Sequence, residues 1–558
     1  MDCMIKESPI VVPTFIALLA SSALISMFPA VVGTYINNFS ATNVPSIFQG
    51  ACFVICSAFA SFMKSTLSGF ANTRIARRLR EDLYISFLRK DISFFDTNTS
   101  GRLASILASD VAVSSVVIDY LCQALRASIS FVSGIFFSLK LAPIALIGHT
   151  MMPIALSFGL IFPLSRCVQK HTSLQMKRLA ALVSHTEERI SNIKTVKAFN
   201  AEKYEHGAFM LKIHDLFVSA ITSTLYTASM NFIAVGAVGS LILLMVNTSA
   251  TLVLDGTMKI GDVTSLLMYS ALVGGSIQSF TSSVAGIQRC VGAAASVASY
   301  IDDNAILPIN KVPTILKAPS IEFNNICFTY PSRPDLQILD DVSFLLPAGS
   351  KLLIFGESGC GKSSIIQLLL GFYKPNSGSI SIDGRSLNDI DIEELRYMSG
   401  WVEQQGTLFN DSIRNNVLYG LENEMVDLSG PYKQSGLLEI VKSMPEGDQT
   451  NVGQLGKALS GGQRQRVSVA RMFARNPKLV LLDEASSALD MESERQLNNA
   501  LIKFLHDKTA IVVSHRTSLL PMADYIMVMT SGKISQFGTK DEVLKAPCQQ
   551  LITMLSVE

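Results

Sequence analysis

Long stretches without a charged side chain are the feature that most restricts how this chain can fold. Residues 8–63 contain no Asp, Glu, Lys or Arg, and the same holds for residues 216–254 and 263–288. Residues 141–165 contain only His149 as a titratable side chain. A helix needs about 20 predominantly apolar residues to cross the hydrocarbon core of a bilayer. We therefore expect membrane-spanning helices in the first half of the chain.

Six spans account for these stretches and for the loops between them. We place the spans near residues 10–36, 47–72, 113–139, 141–163, 217–246 and 261–288. The loops after the second and fourth spans are long, basic and helical in pattern, whereas the other three carry only Lys140 and Lys259 as basic residues. Basic loops stay on the cytoplasmic or matrix side, so both long loops share that side. An anchor with six inert helices would explain the crossings but not the long helical loops.

The composition changes near residue 301, from apolar helices to short strands, glycine turns and amphipathic helices. We therefore predict an all-α transmembrane domain over 1–300, a linker over 301–319 and a soluble α/β domain over 320–558. A formal net charge of +1 gives no indication of nucleic-acid binding. The nine cysteines lack metal-ligand spacing beside a histidine, so we expect no metal–thiolate site.

Residues 351–364, KLLIFGESGCGKSS, combine a buried strand, a phosphate-binding loop and the start of a helix. The spacing of Gly356, Gly361 and Lys362 lets backbone N–H groups turn toward phosphate oxygens. Lys362 would contact the β- and γ-phosphates, and the Ser363 hydroxyl would bind Mg²⁺, so we predict ATP and Mg²⁺ as ligands. The predicted ATP contacts in this loop are Gly356, Glu357, Ser358, Gly359, Cys360, Gly361, Lys362, Ser363 and Ser364.

Two further strands end in side chains suited to hydrolysis. The strand 479–482 is followed by Asp483, which suits a Mg²⁺ shell, and by Glu484, which can orient or deprotonate an attacking water. The strand 511–514 is followed by His515. Because ligands bind beyond the carboxyl ends of strands in α/β sheets, we predict that His515 joins Glu484 in catalysis.

These motifs occur in the order found in ATP-binding-cassette nucleotide-binding domains, which residues 320–558 closely resemble. The resemblance implies that Tyr330 stacks on adenine, that Gln404 joins Ser363 and Asp483 around Mg²⁺, and that Asp490 lies in the D-loop. It also implies an ATP site shared between two cassettes that pair head to tail. The family signature, which would contact the partner's ATP, is formed by Ser460, Gly461, Gly462 and Gln463.

The first half resembles the exporter-type membrane domain of the B subfamily, with mitochondrial half-transporters nearest and antigen-peptide and multidrug exporters next. Phe94, Phe95 and Asp96 match its first inner loop, and residues 187–199 match the second. One stretch departs from the family: Gln454-Leu455 replaces a Glu-Arg pair that helps to couple the cassette to the membrane loops. We therefore expect altered coupling at this stretch.

The resemblance implies ATP-driven export of a hydrophobic or amphipathic substrate by alternating access. One chain supplies one cassette and six spans, so we predict a homodimer, with a heterodimer as the alternative. An ATP-gated channel or a regulatory protein of the same architecture is a further alternative. The substrate class stays open between small molecules, lipids and peptides, and the membrane stays open between the mitochondrial inner membrane and the plasma or another cellular membrane. Candidates for substrate contact, as polar groups at membrane depth, are Arg126, His149 and Asn231.

Overall fold

The computed structural model describes residues 8–38, 47–141, 144–301, 317–421, 426–486 and 489–556. Within these residues the chain forms two compact units. The first comprises the described residues of 8–84 and 104–301, and the second comprises those of 85–103 and 317–556. The short segment 85–103 therefore belongs to the second unit, although it lies between two predicted spans in the sequence. Most of the predicted linker 301–319 lies outside the described residues.

The described residues from Ser8 to Ala298 are almost entirely helical, with short breaks between the helices. The helices are α1 Ser8–Asn37, α2 Ile47–Arg89, α3 Ile92–Thr97, α4 Ser100–Ser105, α5 Val111–Ser115, α6 Val117–Leu141, α7 Ile144–Ser191, α8 Ile193–Ala198, α9 Glu202–Leu254 and α10 Ile260–Ala298, with a π-helix at Ile106–Asp110. The all-α character predicted for this half is confirmed.

Five helical segments among the described residues are long and apolar enough to cross a membrane. They are Ser8–Asn37, Gly50–Arg89, Ser100–Leu141, Glu202–Leu254 and Ile260–Ala298. Each contains or overlaps one of the predicted spans. The remaining predicted span, 141–163, coincides with the start of α7, where several side chains lie outside the described part of the chain.

Glycines bring α10 into close contact with α1. A Cβ atom added at Gly261 would lie 2.2 Å from the carbonyl oxygen of Gly33. The side chain of Asn37 accepts a hydrogen bond from the Gly261 N–H at 2.9 Å and donates one to Asp262 at 2.9 Å. Small residues allow helices to approach closely in membranes, where a hydrophobic driving force between helices is missing. The Gly261-Asp262 pair is thus a helix contact.

The second unit contains two sheets. Its strands are β1 Ile321–Thr329, β2 Gln337–Leu346, β3 Lys351–Gly356, β4 Ser377–Ile382, β5 Arg385–Ser386, β6 Ser399–Val402, β7 Leu479–Asp483, β8 Thr509–Val513, β9 Tyr525–Thr530 and β10 Lys533–Thr539. The order β10-β9-β3-β8-β7-β6 forms a sheet that is parallel from β9 to β6, and the order β2-β1-β4-β5 forms an antiparallel sheet.

The larger sheet is buried on both faces, as its apolar parallel strands require. Along β3, Leu352 and Ile354 pack into one hydrophobic cluster, while Leu353 and Phe355 pack into another. The α-helices of the second unit after β3 are α11 Lys362–Leu369, α12 Ile392–Met398, α13 Ile413–Leu418, α14 Ser429–Gln434, α15 Leu438–Ser443, α16 Gly461–Arg475, α17 Met491–Phe504, α18 Lys540–Lys545 and α19 Gln549–Ser556. Because β3, β7 and β8 run parallel, their carboxyl ends deliver the predicted catalytic residues to one edge.

Candidate active site

The loop between β3 and α11 has a backbone that only glycine adopts easily. Gly356 has a φ of +155° and Gly361 a φ of +102°. A Cβ atom would lie 2.5 Å from the Met529 carbonyl oxygen at Gly356 and 2.7 Å from Leu339 Cδ2 at Gly361. The loop therefore forms a tight cradle that leads directly into the N-terminus of α11, the arrangement that binds phosphate.

Lys362 lies inside this cradle. Its Nζ donates hydrogen bonds to the carbonyl oxygens of Gly356 at 2.7 Å and Glu357 at 2.8 Å. Both acceptors are neutral. A phosphate oxygen would form a stronger, charge-assisted bond with the same ammonium group. The geometry thus fits a lysine that is held within the loop and can be drawn to phosphate.

Tyr330 packs against the helix that follows the loop. Its hydroxyl is hydrogen-bonded to Ser364 Oγ at 2.8 Å and donates to Gln367 Oε1 at 2.8 Å. Burial raises the pKa of Tyr330 above its ordinary value, and Ser364 opposes this shift. The sequence did not indicate Gln367, which accepts the bond from Tyr330 because it lies one helical turn after Ser363 on α11.

Ser363 and Asp483 meet at the end of β7. Burial raises the pKa of Asp483, and the hydrogen bond from Ser363 opposes the rise. A hydroxyl and a carboxylate oxygen are hard ligands of the kind that Mg²⁺ prefers. These two residues therefore fit the predicted ion, which would also favour the ionised form of Asp483.

Glu484 is the residue around which the predicted catalytic groups converge. His515 Nε2 lies 2.9 Å from its Oε1, and Gln404 Nε2 donates to its Oε2 at 2.7 Å. Its backbone N–H donates to Val513 O at 3.0 Å, and its carbonyl oxygen accepts from Gln465 Nε2 at 3.1 Å. Because a carboxylate offers about four lone-pair sites, an incoming water can still find an acceptor. The sequence did not indicate Gln465.

The signature residues form a capping box at the start of α16. Ser460 Oγ accepts from the Gln463 N–H at 3.3 Å, and Gln463 Oε1 accepts from the Ser460 N–H at 2.9 Å. Gly461 and Gly462 provide the first two helical N–H groups. Among the described residues, no hydrogen bond joins 460–463 to the phosphate loop. Within one chain the two predicted halves of the ATP site are therefore not linked.

Asp490 caps the next helix, α17, by accepting a hydrogen bond from the Ser493 N–H at 3.2 Å. The bonds from Ser493 lower the pKa of Asp490. The two residues before Leu489 lie outside the described part of the chain. In the single chain Asp490 therefore acts as a helix cap, and its predicted D-loop role stays a prediction.

The segment 85–103, which contains the predicted inner-loop residue Asp96, contacts the rest of the second unit through partners that the sequence did not single out. Tyr373 donates a hydrogen bond from its hydroxyl to Asp96 Oδ2 at 2.7 Å, and its ring lies edge-on to Tyr330 at 5.1 Å. Arg89 forms a looser ion pair with Glu393 at 3.8 Å. The predicted inner loop is thus tied to the aromatic group beside the phosphate loop.

The predicted substrate contacts are spread over three helices. Arg126 is half-buried on α6 and has no carboxylate within ion-pair distance among the described residues, while Asn231 is exposed on α9. The side chain of His149, on α7, lies outside the described part of the chain.

A polar group that the sequence did not indicate joins α2 and α6. Lys64 Nζ lies 3.6 Å from Asp119 Oδ1, and Asn72 Nδ2 donates to Asp119 Oδ2 at 2.6 Å. Lys64 is the first charged residue after the uncharged stretch 8–63, a signal that could have drawn attention to it.

Residues 10–277 match the family described as "ABC transporter transmembrane region", and residues 339–487 match "ABC transporter". A Mus musculus protein named "ATP-binding cassette sub-family B member 10, mitochondrial" is 33% identical over 508 residues, covering 89% of this chain and 70% of the relative. The chain belongs to the ABC transporter family. The Schizosaccharomyces pombe "ATP-dependent permease MDL1, mitochondrial" is another relative of this half-transporter, 31% identical with 94% and 74% of the two chains covered.

The fold of this ABC transporter is also found in a solved structure, "Structure of a bacterial Atm1-family ABC exporter with ATP bound". The TM-score is 0.82 at 23% identity, and 98% of each chain is covered. The resemblance predicted from the motifs is confirmed. The protein is a multi-pass membrane protein and an ATPase of the class that couples ATP hydrolysis to transport across a membrane.

Proposed function

We propose that two copies of this chain form an exporter that moves a hydrophobic or amphipathic substrate by alternating access. The observation that supports this best is the division of the ATP site. Glu484, Gln404 and His515 are assembled within one chain, whereas the hydrogen bonds of the Ser460 side chain and N–H among the described residues go to its own helix. A second cassette paired head to tail would bring its Ser460 turn to the ATP held by the loop of the first.

Each residue then has a distinct role. Tyr330 would stack on adenine, Lys362 would contact the phosphates and Glu484 would activate water, with His515 orienting it. Ser363, Gln404 and Asp483 would hold Mg²⁺, which would neutralise phosphate charge when bound. Release of the phosphate would remove the link between the two cassettes.

We further propose that the first half crosses the membrane six times, with the sixth crossing formed by the start of α7. The domain bounds 1–300, 301–319 and 320–558 are part of this proposal. The segment 85–103 would transmit cassette pairing to the spans through the Asp96–Tyr373 contact. At the departing Gln454-Leu455 stretch, Leu455 has a φ of +55° and is exposed, so its side chain is free to meet a different partner.

A mixed dimer tests the shared site. Both chains carry Glu484→Gln so that bound ATP is trapped; one also carries Lys362→Ala and the other Ser460→Arg. If sites are shared, one site combines both defects and the other has none, so the mixed dimer traps one ATP. Each variant alone should trap none, and Glu484→Gln alone should trap two per dimer. A mixed dimer that traps no ATP would contradict the shared site.

Flux in proteoliposomes tests export. The purified chain, reconstituted alone, should show ATPase stimulation by at least one member of a panel of lipids, peptides and amphipathic small molecules. That compound should then accumulate above its equilibrium concentration when ATP is added. Dissipation of a gradient without accumulation would favour an ATP-gated channel, and absence of ATPase activity would favour a heterodimer.

A further inference from the structure

A cleft of about 670 Å³ opens in the second unit, and none of the described residues that line it is a predicted ATP contact. It lies between the α14 turn, α16, α17 and the residue before β8. Four cations line it: Lys433, Arg466, Lys503 and Lys508. No Asp or Glu is among the described residues of its lining. A concave surface that is lined by cations creates a local positive potential, which attracts anions.

The hydrogen bonds of the two inner cations go to neutral acceptors. Arg466 donates to the Gly436 carbonyl oxygen at 2.7 Å and to the Ser493 hydroxyl. Lys508, only 6% exposed, donates to Asn476 Oδ1 at 2.6 Å and to the Pro477 carbonyl oxygen at 2.7 Å. None of the four cations forms an ion pair within 4.0 Å among the described residues. Asp490 contributes only a longer-range interaction with Arg466.

The charge on Lys508 is held at an energetic disadvantage. Burial, reinforced by Lys478, lowers the pKa of Lys508 to about 8. The ammonium group also lies 4.4 Å from the centroid of the Phe504 ring, a favourable but weak cation–π contact. The neutral acceptors of Lys508 do not offset its repulsion by Lys478, and an anion bound in the cleft would do so.

One side of the cleft is apolar. Leu497, Ala500 and Phe504 line it from α17 at spacings that place them on one helix face. The volume lies within the about 300–1,000 Å³ usual for small-molecule sites, which combine apolar walls with a few placed polar groups. Inorganic phosphate alone would leave most of this space and the apolar side unused.

We propose that the cleft binds a small organic anion. Arg466 and Lys508 hold its phosphate, sulfonate or carboxylate group, and its apolar body packs against Leu497 and Phe504. Lys433 and Lys503 at the rim attract it. Binding does not depend on the export function. A regulatory effect does rest on the proposed pairing, because Arg466 joins the signature helix to the helix that Asp490 caps.

Equilibrium dialysis with 1-naphthyl phosphate tests binding to the full chain in lipid nanodiscs. Saturating ADP and Mg²⁺ occupy the phosphate loop, and empty nanodiscs give the membrane background. We expect saturable binding of one probe per chain, tighter than binding of inorganic phosphate and not displaced by neutral 1-naphthol. Absence of saturable binding at millimolar probe in the presence of this ADP would overturn the proposal.

Two charge reversals provide a matched comparison. Lys503 and Lys545 are both exposed and both lie in the last turn of a helix, so Lys503→Glu and Lys545→Glu make the same local change. Lys503→Glu should weaken binding of the probe at least about fivefold, because it reverses a charge at the cleft rim. Lys545→Glu should leave binding of the probe unchanged. Equal weakening by both would show that the probe responds to overall surface charge and would refute the site.

ATPase turnover with the probe present separates the site from its regulatory role. A change in turnover that is lost in Lys503→Glu and kept in Lys545→Glu supports regulation through the cleft. Probe binding without any change in turnover would leave the binding site established and would refute the regulatory role alone.

Discussion

Removing the hydroxyl of Tyr373 should loosen the segment 85–103 by a predictable amount. The Tyr373→Phe change deletes the bond to Asp96 at 2.7 Å but keeps the ring that packs against Tyr330 at 5.1 Å. A hydrogen bond to a charged acceptor contributes about 1.5–3 kcal/mol when well shielded. Asp96 is exposed, so we expect about 1 kcal/mol from this bond.

Hydrogen exchange of the α3 amides measures this energy locally. A loss of about 1 kcal/mol should speed exchange through local opening about fivefold. Local exchange is preferable to global unfolding because a chain with two compact units need not unfold in a single step. Burial and Asp96 both raise the pKa of Tyr373, so the phenol stays protonated and able to donate throughout the neutral range.

A double-mutant cycle decides whether the bond is the cause. Asp96→Asn removes the charge on the acceptor, and the double variant should exchange no faster than the more affected single variant. Arg89→Gln, which removes the looser 3.8 Å contact with Glu393, should change exchange by less than about twofold. Exchange that is unchanged in Tyr373→Phe, or fully multiplicative in the double variant, would refute the reasoning.

Four further changes test other parts of the structure. Glu484→Gln should lower phosphate release by about 10²–10⁴-fold while nucleotide binding persists; unchanged release would exclude Glu484 as the base. Ser460→Ala should destabilise the start of α16 by about 1 kcal/mol, measured by hydrogen exchange. Ser460→Asp should keep the helix cap but lose ATPase activity, because its charge would face the partner's phosphate. Full ATPase activity in Ser460→Asp would contradict the role of Ser460 at the partner's ATP. Gly261→Ala should destabilise the α1–α10 contact by about 1–3 kcal/mol, seen as a lower thermal midpoint, while Gly236→Ala, whose added Cβ has nothing within 4 Å, should have little effect. The pKa of Lys508 is about 8 in the native state but near 10.5 when the chain is unfolded, so between pH 8 and 10.5 the unfolded state binds more protons. The stability of the wild type should therefore rise with pH over this range relative to that of Lys508→Met. Parallel pH profiles of the two proteins would contradict the lowered pKa.

Much of the site was predictable because its chemistry depends on short local motifs. The loop from Gly356 to Ser364 needs glycines at fixed spacing and a following helix, and the strand before Asp483 shows as an apolar run. The pattern placed Asp483 and His515 each at the carboxyl end of a strand, whereas the structure shows that these two strands, β7 and β8, are parallel neighbours.

Other contacts could not be predicted because they join residues far apart in the chain. Asp96 meets Tyr373, Gln465 meets the Glu484 carbonyl oxygen, and Lys64 meets Asp119 only through the folded arrangement of helices. No periodicity in the sequence reports which surfaces of two elements face each other. The cation-lined cleft is a stronger case, because its lining comes from four separate segments.

The sequence by itself determined the two kinds of solvent this chain meets and the motifs that handle phosphate. The length of an apolar stretch and the spacing of glycines are local properties of the sequence. The first decides whether a helix can cross a bilayer, and the second whether a loop can bind phosphate. Only the tertiary structure decided that the signature turn bonds to its own helix, that the segment 85–103 belongs to the second unit, and that four cations share one cleft. Those facts depend on packing between distant residues, where the energies of many weak contacts decide the arrangement together.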